Sequence, residues 1–473
     1  MNTILISVPY VYPLCPLNFN HAKMFVIADI YARYSCSCIE DKDAELIFPI
    51  ASHYSGNTAQ STASLIYDYY HNERSEKSIE TINLYKSRYK TPVNIIRRFV
   101  DPNYLMSYYN EEIIWELQSL DVSCNYNDAY TTSDAYFEEF VKSLFRQYSL
   151  FGLLIMNEND ELAINYDDND WREETIELIN NTNIKHDIHK KTILSALRNL
   201  SSKWECLRKT GYGVRYDENG WIIDPMFDSE LFMVFDLFIY WKNRLKTNLT
   251  KPAIFFDALF RSLKTNQIMP TQEVDADEQK LLSCILNSLP CSVFVAEEHL
   301  KNWIGKKFFV EQKLLHPELR TKTYRILGMA MLDGKRMSAS RGHAVFSRDL
   351  IKEYGGTVAR LVLLMSGGNI SKTFNYEKNL PQTAKSIIDN FSDYLIFLKS
   401  NYSCGTQDFD IEDYSHKINK LIEEGYIRQA IIELLVNIPS SNKNPSIKSK
   451  AKMQLLFKKY LNILIPSYAQ SYF

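Results

Sequence analysis

The sequence predicts an α/β fold up to about residue 375 and an all-helical region after residue 376. Short apolar stretches typical of buried strands recur along the first part, and helical patterns separate them. The strand candidates are Thr3–Val8, Glu45–Ile50, Cys291–Val295 and Tyr324–Leu332. The second part contains helical patterns only, over residues 380–400, 411–437 and 447–464.

The composition is that of a soluble globular protein. Of 473 residues, 45% are hydrophobic and 23% charged, which is enough chain for two or three domains. No apolar run approaches the ~20 residues of a membrane-spanning helix, and we see no secretory signal, so we expect a cytoplasmic protein without membrane contact. Eight scattered cysteines lack zinc spacing, which predicts reduced thiols and no bound metal. The net charge of −3 gives no general attraction to nucleic acid.

The first strand candidate leads through a proline-rich loop into a helix. From His21 onward the pattern is helical, with Asp29 and Arg33 spaced for an i,i+4 ion pair. Polar side chains (Asn18, Asn20 and His21) stand where this helix begins, and a helix N-terminus favours a phosphate. The alternative is an ordinary strand–helix connection, which this stretch alone favours.

Helices are also predicted elsewhere in the first part. An amphipathic helix is expected near residues 134–150, and residues 151–200 contain an acidic, turn-like stretch followed by one helical pattern. That region contains a basic cluster, which is more often a solvated face than a binding site: Lys185, His186, His189, Lys190 and Lys191. Ser347 is expected to cap a helix that ends at Gly355-Gly356.

Two motifs resemble the signatures of class I aminoacyl-tRNA synthetases. The first reads Pro16-Leu-Asn-Phe-Asn-His-Ala22, where that class has Pro-Leu-His-Ile-Gly-His-Ala. The second reads Lys335-Arg-Met-Ser-Ala-Ser340, and it resembles the Lys-Met-Ser-Lys-Ser loop. Two degenerate motifs in the right order, about three hundred residues apart, are much more specific than either alone.

Other segments resemble leucyl-tRNA synthetases of the archaeal and eukaryotic type. Phe48–Gly56 resembles the segment Phe-Pro-Met-Ala-Phe-His-Val-Thr-Gly, and Trp204–Gly213 and Ile223–Met233 resemble later parts of the catalytic core. The resemblance implies a Rossmann-like parallel sheet with a reduced insertion and a shortened anticodon-binding-like helical bundle. It also implies a paralogue that lacks the editing domain.

The resemblance divides the chain into four predicted parts. They are the first half of the catalytic domain (1–70), the reduced insertion (71–200), the second half with the second motif (201–375) and the helical domain (376–473).

The resemblance also implies the functional residues. Catalytic roles are expected for Asn18, His21, Arg336 and Ser338. ATP contacts are expected for Asn18, Asn20, His21, Ala296, Glu298, Lys335, Arg336, Met337, Ser338 and Ser340. An amino-acid pocket is expected from Ser7, Val8, Tyr10, His53 and Phe232. For His53 the alternative is a hydrogen-bonded histidine in a loop at a strand end, and the context favours the pocket.

Class I synthetases join a carboxylate to the α-phosphate of ATP, which Mg²⁺ accompanies, and then pass the acyl group to a hydroxyl. The protein supplies positioning and charge stabilisation. Here Asn18 replaces a histidine, Asn20 and Ala296 replace glycines, and Ala339 replaces a lysine. Each lost charge-assisted hydrogen bond costs roughly 1.5–3 kcal/mol.

Two functions follow from this resemblance. The favoured one is an enzyme that activates an amino acid as an aminoacyl adenylate. The acceptor of the aminoacyl group is expected to be tRNA or a different molecule. We favour the second, which would be a small molecule, an amino acid or a carrier protein. The alternative is a non-catalytic paralogue that binds amino acid, nucleotide or tRNA for regulation. We expect Asn18, His53 and Ser338 to converge at the carboxyl ends of the parallel strands.

Overall fold

The computed structural model describes residues 3–38, 44–72, 74–156, 161–168, 170–268, 273–400 and 405–473. It contains two compact units. Unit 1 comprises Met1–Cys15, Ile39–Glu112 and Cys124–Ile326, and unit 2 comprises Pro16–Cys38, Ile113–Ser123 and Leu327–Phe473. This division differs in kind from the four functional parts expected above, whose boundaries stay predictions.

The strands are short. Across the described residues they are β1 (Thr3–Ser7), β2 (Glu45–Ile47), β3 (Ala51–Ser52), β4 (Tyr130–Thr131), β5 (Leu154–Met156), β6 (Leu162–Asn165), β7 (Asn183–Ile184), β8 (Lys203–Glu205), β9 (Leu207–Arg208), β10 (Ile222–Ile223), β11 (Ser292–Ala296), β12 (Thr323–Leu327), β13 (Ala330–Leu332), β14 (Lys335–Arg336) and β15 (Phe374–Asn375).

Helices make up most of the remaining regular structure. The α-helices are α1 (Phe19–Cys38), α2 (Thr58–His71), α3 (Glu76–Asn83), α4 (Val93–Ile96), α5 (Pro102–Ser119), α6 (Ala135–Leu150), α7 (Trp171–Asn181), α8 (Asp187–Arg198), α9 (Pro225–Asp228), α10 (Phe232–Leu245), α11 (Pro252–Thr265), α12 (Ala276–Ser288), α13 (Trp303–Leu314), α14 (Ser347–Tyr354), α15 (Gly356–Met365), α16 (Leu380–Lys399), α17 (Ile411–Glu423), α18 (Ile427–Ile432), α19 (Ile438–Ser441), α20 (Ile447–Leu464) and α21 (Pro466–Tyr472).

Unit 1 is built on a five-stranded sheet in the order β2-β1-β11-β12-β7. The pairings of β1 with β2, of β1 with β11 and of β12 with β7 are parallel. An extensive apolar core packs against this sheet, and aromatic side chains dominate its centre, among them Phe235, Phe238 and Phe256. The predicted α/β class with a parallel sheet is therefore confirmed.

The strand predictions hold for three of the four apolar runs. The run Tyr324–Leu332 was expected to form one strand. That prediction was wrong, because the strand is interrupted between β12 and β13. The break lies at Gly328, whose N–H donates to the Ile370 carbonyl over 3.0 Å. A Cβ at Gly328 would lie 2.2 Å from the backbone carbon of Lys372, so only glycine allows this approach.

Residues 151–200 contain more structure than the single helix that the sequence predicted. Strands β5, β6 and β8 form an antiparallel sheet, and helices α7 and α8 follow β6 with β7 between them. The two-residue strand β7 joins the main sheet beside β12, at Asn183 and Ile184. A strand of two residues leaves no apolar pattern that the sequence could reveal.

Unit 2 contains α1, the β13–β14 hairpin and the C-terminal helices, which confirms the predicted helical region. The expected ion pair on α1 forms, with Arg33 Nε 2.9 Å from Asp29. The prediction that Ser347 caps its helix was wrong. Ser347 is the first residue of α14, and its hydroxyl donates to the Leu17 carbonyl and to Glu116 instead.

The described residues contain neither a candidate membrane span nor a candidate metal cluster. None of their helices combines the length and the apolar character that crossing a bilayer requires. Likewise, no group of three or more His, Cys, Asp or Glu side chains among them is arranged to hold a metal ion.

Candidate active site

Unit 1 contains a cluster of aromatic rings at the predicted amino-acid pocket, formed by Tyr10, His53, Tyr130, Phe137 and Phe232. The Tyr10 ring lies among the other four, with ring-centre distances of 5.6 Å to His53 and 5.7 Å to Phe232. Both of these residues are buried, with 3% and 0% of their surface exposed. Three of the five residues predicted to form the amino-acid pocket therefore lie together.

The parallel sheet positions the remaining pocket residues. Ser7 ends β1 and pairs with Val293 of β11, so Ser7 and Val8 lie at the carboxyl edge, where ligands bind in open α/β sheets. The Ser7 hydroxyl is buried and has no hydrogen-bond partner among the described residues. Ala296 ends the neighbouring β11, and Glu298 follows it in a short turn of helix. Their expected ATP contacts stay a prediction.

His53 is paired with a carboxylate that sequence reasoning missed. Its Nε2 lies 3.0 and 3.2 Å from the two oxygens of Asp228, which is 1% exposed. The Ser55 hydroxyl donates to the same carboxylate over 3.5 Å. Asp228 belongs to the stretch Ile223–Met233 that carried the resemblance, but only its pairing with His53, 175 residues away in sequence, singles it out.

A chain of hydroxyl groups extends from the pocket to a second carboxylate. Tyr130 donates to Asp236 over 2.7 Å, so the hydroxyl of Tyr10, 2.7 Å from that of Tyr130, donates to Tyr130 in turn. Burial raises the pKa of Asp236 to about 7, although Tyr130 and Lys307 act in the opposite direction. Burial and the nearby Asp236 also raise the pKa of Tyr10, which therefore keeps its proton. The Tyr10 oxygen is thereby oriented to accept a hydrogen bond.

In unit 2 the first motif caps its own helix. The Asn18 side-chain oxygen accepts from the N–H of His21 over 3.1 Å, the arrangement of an N-cap. The N–H of Phe19 donates to the Val345 carbonyl over 2.8 Å. Two of the first amides of α1 therefore have partners inside the unit. A phosphate at this helix would be contacted by side chains rather than by these two amides.

Asn20 replaces the glycine of the signature, and its side chain has a definite partner. Its oxygen accepts from the backbone N–H of Ala330 over 2.7 Å, and Ala330 is fully buried. Ala330 begins β13, the strand that leads into the second motif. The substitution thus adds a hydrogen bond between the two signature segments.

The second motif follows a tight hairpin. Asp333 and Gly334 both have positive φ, 51° and 74°, between the antiparallel strands β13 and β14. Lys335 and Arg336 are exposed at the end of this hairpin, whereas Met337 is buried. Exposed cations on a short hairpin suit the binding of an anionic ligand.

The rest of the loop is closed by His343, which sequence reasoning did not single out. Ser338 and His343 exchange two backbone hydrogen bonds of 2.8 and 3.0 Å, and the Ser338 and Ser340 hydroxyls lie 3.3 Å apart. The His343 ring contacts the Leu332 carbonyl at 2.9 Å. The loop is therefore held in one shape by its own backbone.

The predicted site residues thus fall into two groups, one in each unit. Unit 1 contains the amino-acid pocket residues with Ala296 and Glu298. Unit 2 contains Asn18, Asn20, His21 and residues 335–340. The convergence of Asn18, His53 and Ser338 stays a prediction, as do the individual roles of the site residues.

For ATP, the cationic side chains of the second motif and the His21 imidazole supply suitable donors. Mg²⁺ would be held by the nucleotide rather than by a carboxylate cluster.

Sequence comparison relates parts of the chain to leucyl-tRNA ligases. Leucine–tRNA ligase 2 of Sulfolobus acidocaldarius is 28% identical over 149 residues, which are 32% of this chain and 14% of that ligase. The leucine–tRNA ligase of Methanopyrus kandleri is 22% identical over 275 residues, 56% of this chain and 28% of that ligase. The chain thus matches less than a third of these relatives' length. No protein-family model matches it.

Structural comparison covers the chain more fully. Methionyl-tRNA synthetase of Mycobacterium tuberculosis, solved in complex with methionyl-adenylate, has a TM-score of 0.67. The match covers 100% of this chain and 93% of that one, at 10% sequence identity, and a likeness at this identity concerns the fold alone. From the partial sequence matches and the shared fold, we conclude that the chain is a class I aminoacyl-tRNA synthetase-like protein.

Proposed function

We propose that this protein activates an amino acid with ATP to an aminoacyl adenylate and releases pyrophosphate. The observation that carries the proposal is how unit 2 connects the two signature motifs. Asn20 of the first motif hydrogen-bonds Ala330, which precedes the second motif, and Phe19 hydrogen-bonds Val345, which follows it. Unit 2 therefore joins the two segments by hydrogen bonds, and in the class that the chain resembles both segments are expected to contact ATP.

The amino-acid substrate would be bound by unit 1. Asp228, held by His53 and Ser55, supplies a buried negative charge for the substrate ammonium group. The Tyr10 oxygen can accept a second hydrogen bond, and Phe232 supplies apolar surface for the side chain. A ligand without the ammonium group would lack this charge-assisted contact with Asp228 and should bind more weakly.

The triphosphate would be bound by unit 2. In the reaction the substrate carboxylate attacks the α-phosphorus and forms the new P–O bond. The bond between the α-phosphorus and the α,β-bridging oxygen breaks, and its electrons leave with the pyrophosphate. Arg336 and Lys335 would stabilise that charge, while His21 and Ser338 would donate to phosphate oxygens. Asn18 would act through His21, whose backbone N–H it already holds. Bound Mg²⁺ would neutralise part of the phosphate charge.

For the acyl acceptor we favour a small molecule, an amino acid or a carrier protein over tRNA. The preference is based on the formal net charge of −3. A nucleic-acid ligand of tRNA size depends on many cationic contacts.

We also propose that the catalytic core lacks an editing domain. The compartment that we propose for the protein is the cytoplasm.

The second candidate is a non-catalytic paralogue, and one observation favours it. Ala339 replaces the lysine that resembling loops use for transition-state charge, and Ala296 replaces a glycine beside the expected adenosine. A protein with these changes can retain ligand binding after losing the rate enhancement.

The deciding experiment is amino-acid-dependent ATP–pyrophosphate exchange with each of the twenty amino acids, without tRNA. We expect exchange with one amino acid, or with a few of similar shape. Silence with all twenty, together with no ATP binding by calorimetry, would contradict the proposal. ATP and amino-acid binding without exchange would establish the non-catalytic alternative.

A further inference from the structure

A groove on unit 1 lies beside Trp204 and outside the residues assigned above. It has a volume of about 610 Å³, and its lining includes Trp204, Lys191, Lys301, Ser195, Asn199 and Ser201. The lining combines an aromatic ring, two ammonium groups and several small polar groups. No carboxylate lines the groove within the described part of the chain.

Trp204 is held as a rigid platform. It stands in β8, which pairs with β6 alone in its sheet, and 37% of its surface is exposed. The Lys306 ammonium lies 3.6 Å from the centre of the Trp204 ring. Lys306 is fully buried and does not line the groove, so it covers the inward face of the ring. The outward face of the Trp204 ring therefore lines the groove.

The Lys306 ammonium strengthens this arrangement because it contacts two aromatic faces. Its Nζ forms no hydrogen bond among the described residues, and it lies 4.4 Å from the ring of Phe227. The carboxyl groups of Glu230 and Asp224 also act on its charge. Rotating Trp204 away would remove one cation–π contact from a buried ammonium, which favours the observed ring orientation before any ligand arrives.

The charges around the ring determine the kind of ligand. Lys191 of α8 and Lys301, in the turn after β11, are exposed, and neither takes part in an ion pair among the described residues. Lys191 belongs to the basic cluster that the sequence analysis assigned to a solvated face. His189 of that cluster is buried instead, so the cluster does not present one uniform face.

We propose that the Trp204 groove binds a nucleoside phosphate group, with its base stacked on Trp204 and its phosphate near Lys191 and Lys301. Stacking on a tryptophan tolerates any base, while the lysines require an anion. The same chemistry occurs in a free nucleotide and at the end of a single RNA strand. This site goes beyond the proposed function and does not require that adenylate forms.

The test measures dissociation constants of the full chain for AMP, by calorimetry, and for a fluorescein-labelled hexaadenylate RNA, by anisotropy. Trp204→Leu should weaken binding at least about five-fold, since stacking on an aromatic side chain contributes that much or more per base. Trp204→Phe is the matched control, and it should retain binding within about two-fold. Lys191→Glu with Lys301→Glu should weaken binding and lessen its salt dependence.

The outcomes separate the sources of the ligand. Tighter binding of the hexaadenylate than of AMP assigns the groove to an RNA end, and equal binding assigns it to a mononucleotide. Binding that neither Trp204→Leu nor the lysine reversals change would overturn the proposal, as would no binding of either probe. If Trp204→Leu fails to fold, the lysine reversals decide alone.

Pyrophosphate exchange measured on the same preparations keeps the two proposals distinguishable. The lysine reversals should leave exchange unchanged. If the wild-type protein binds the probes but shows no pyrophosphate exchange, only the proposed function is contradicted. If it shows exchange but binds neither probe, only the Trp204 groove is contradicted.

Discussion

Each compact unit contains a buried carboxyl group whose pKa is shifted, and the two shifts have opposite directions. In unit 1, Glu230 accepts a hydrogen bond from Tyr148 over 2.6 Å, and burial raises the pKa of Glu230 to about 8. In unit 2, Asp29 is equally buried, and burial alone would raise its pKa. Arg360 and Arg33 nevertheless hold the pKa of Asp29 below its ordinary value, from 2.6 and 2.9 Å.

The difference lies in the partners rather than in the depth of burial. A tyrosine hydroxyl can hydrogen-bond a carboxylate but adds no compensating charge, so desolvation prevails. Two guanidinium groups supply that charge and keep Asp29 ionised. Unit 1 therefore has carboxyl groups that change protonation near neutral pH, while unit 2 has a fixed charge on α1, the helix that begins in the first motif.

Breaking the fixed charge of unit 2 should have the largest effect. Arg360→Met leaves Asp29 buried with one arginine, and it removes the Arg360 hydrogen bonds to the Leu464 and Leu120 carbonyls. We expect the free energy of unfolding in urea to fall by about 3–5 kcal/mol. The control is Lys378→Met, which breaks the exposed pair with Asp333 and should cost less than about 1 kcal/mol. Equal losses in both variants would contradict the comparison.

The carboxyl groups of unit 1 should make stability depend on pH. Between the ordinary pKa of 4.5 and about 8, Glu230 binds a proton in the folded state but not in the unfolded state. Stability contributed by Glu230 therefore falls as pH rises through this window, by up to about 1.4 kcal/mol per pH unit. Asp236 acts in the same direction, from an ordinary 3.8 to about 7.

The check is urea unfolding between pH 5 and 6.5 for the wild type and Glu230→Gln. The variant should show a shallower decline, because it keeps the Asp236 contribution but loses that of Glu230. The window ends below 7 because Lys23, whose pKa burial lowers to about 7, acts in the opposite direction above it, and Lys306 does so above about 8. Parallel curves for the two proteins would mean that Glu230 is ionised in the folded state.

Sequence patterns predicted the parts of this comparison that depend on neighbours in the chain. The apolar runs predicted β1, β2 and β11, and the i,i+4 spacing predicted the pair of Asp29 and Arg33. Arg360, the stronger partner of Asp29, lies 331 residues away in sequence. Only tertiary packing brings such groups together, and no local pattern records it.

The candidate site follows the same rule. The motifs selected Asn18, His21 and Arg336, whose positions depend on a helix start and a hairpin. They did not reveal Asp228 opposite His53, or the contact of Asn20 with Ala330, because each joins segments distant in the chain. The break at Gly328 was also hidden, since its cause is the backbone of Lys372.

Removing the charge of Asp228 would test whether the unit 1 pocket uses an ionised carboxylate. Asp228→Asn keeps the shape beside His53 but loses the negative charge that would attract the substrate ammonium. We expect kcat/KM for the amino acid in pyrophosphate exchange to fall ten- to a hundred-fold, or about 1.5–3 kcal/mol. Glu218→Gln, an exposed carboxylate in a loop, is the control and should change nothing. An unchanged Asp228→Asn enzyme would remove that residue from substrate binding.

Arg336→Ala tests the exposed cations of unit 2 in the same assay. Arg336 would stabilise negative charge on the leaving phosphates, so its loss should lower exchange at least about ten-fold. Because Arg336 is exposed, the free energy of unfolding should change by less than about 0.5 kcal/mol. Lys385→Ala, another exposed cation of unit 2, should leave exchange intact. Unchanged turnover in Arg336→Ala would exclude the second motif from the mechanism.

The smallest expected effect concerns Asn20, whose hydrogen bond to Ala330 carries no charge. Asn20→Ala leaves the buried N–H of Ala330 without its partner, so the free energy of unfolding should fall by about 1 kcal/mol. Asn20→Asp is the matched control, because its carboxylate oxygen can accept the same hydrogen bond near the favourable N-terminus of α1. Equal stability of the alanine and aspartate variants would show that the contact contributes nothing. A lower free energy of unfolding in Asn20→Ala alone would establish that an uncharged hydrogen bond links the two signature segments. Its contribution to stability would be smaller than that of the buried pair of Asp29 and Arg360, whose carboxylate also lies on α1.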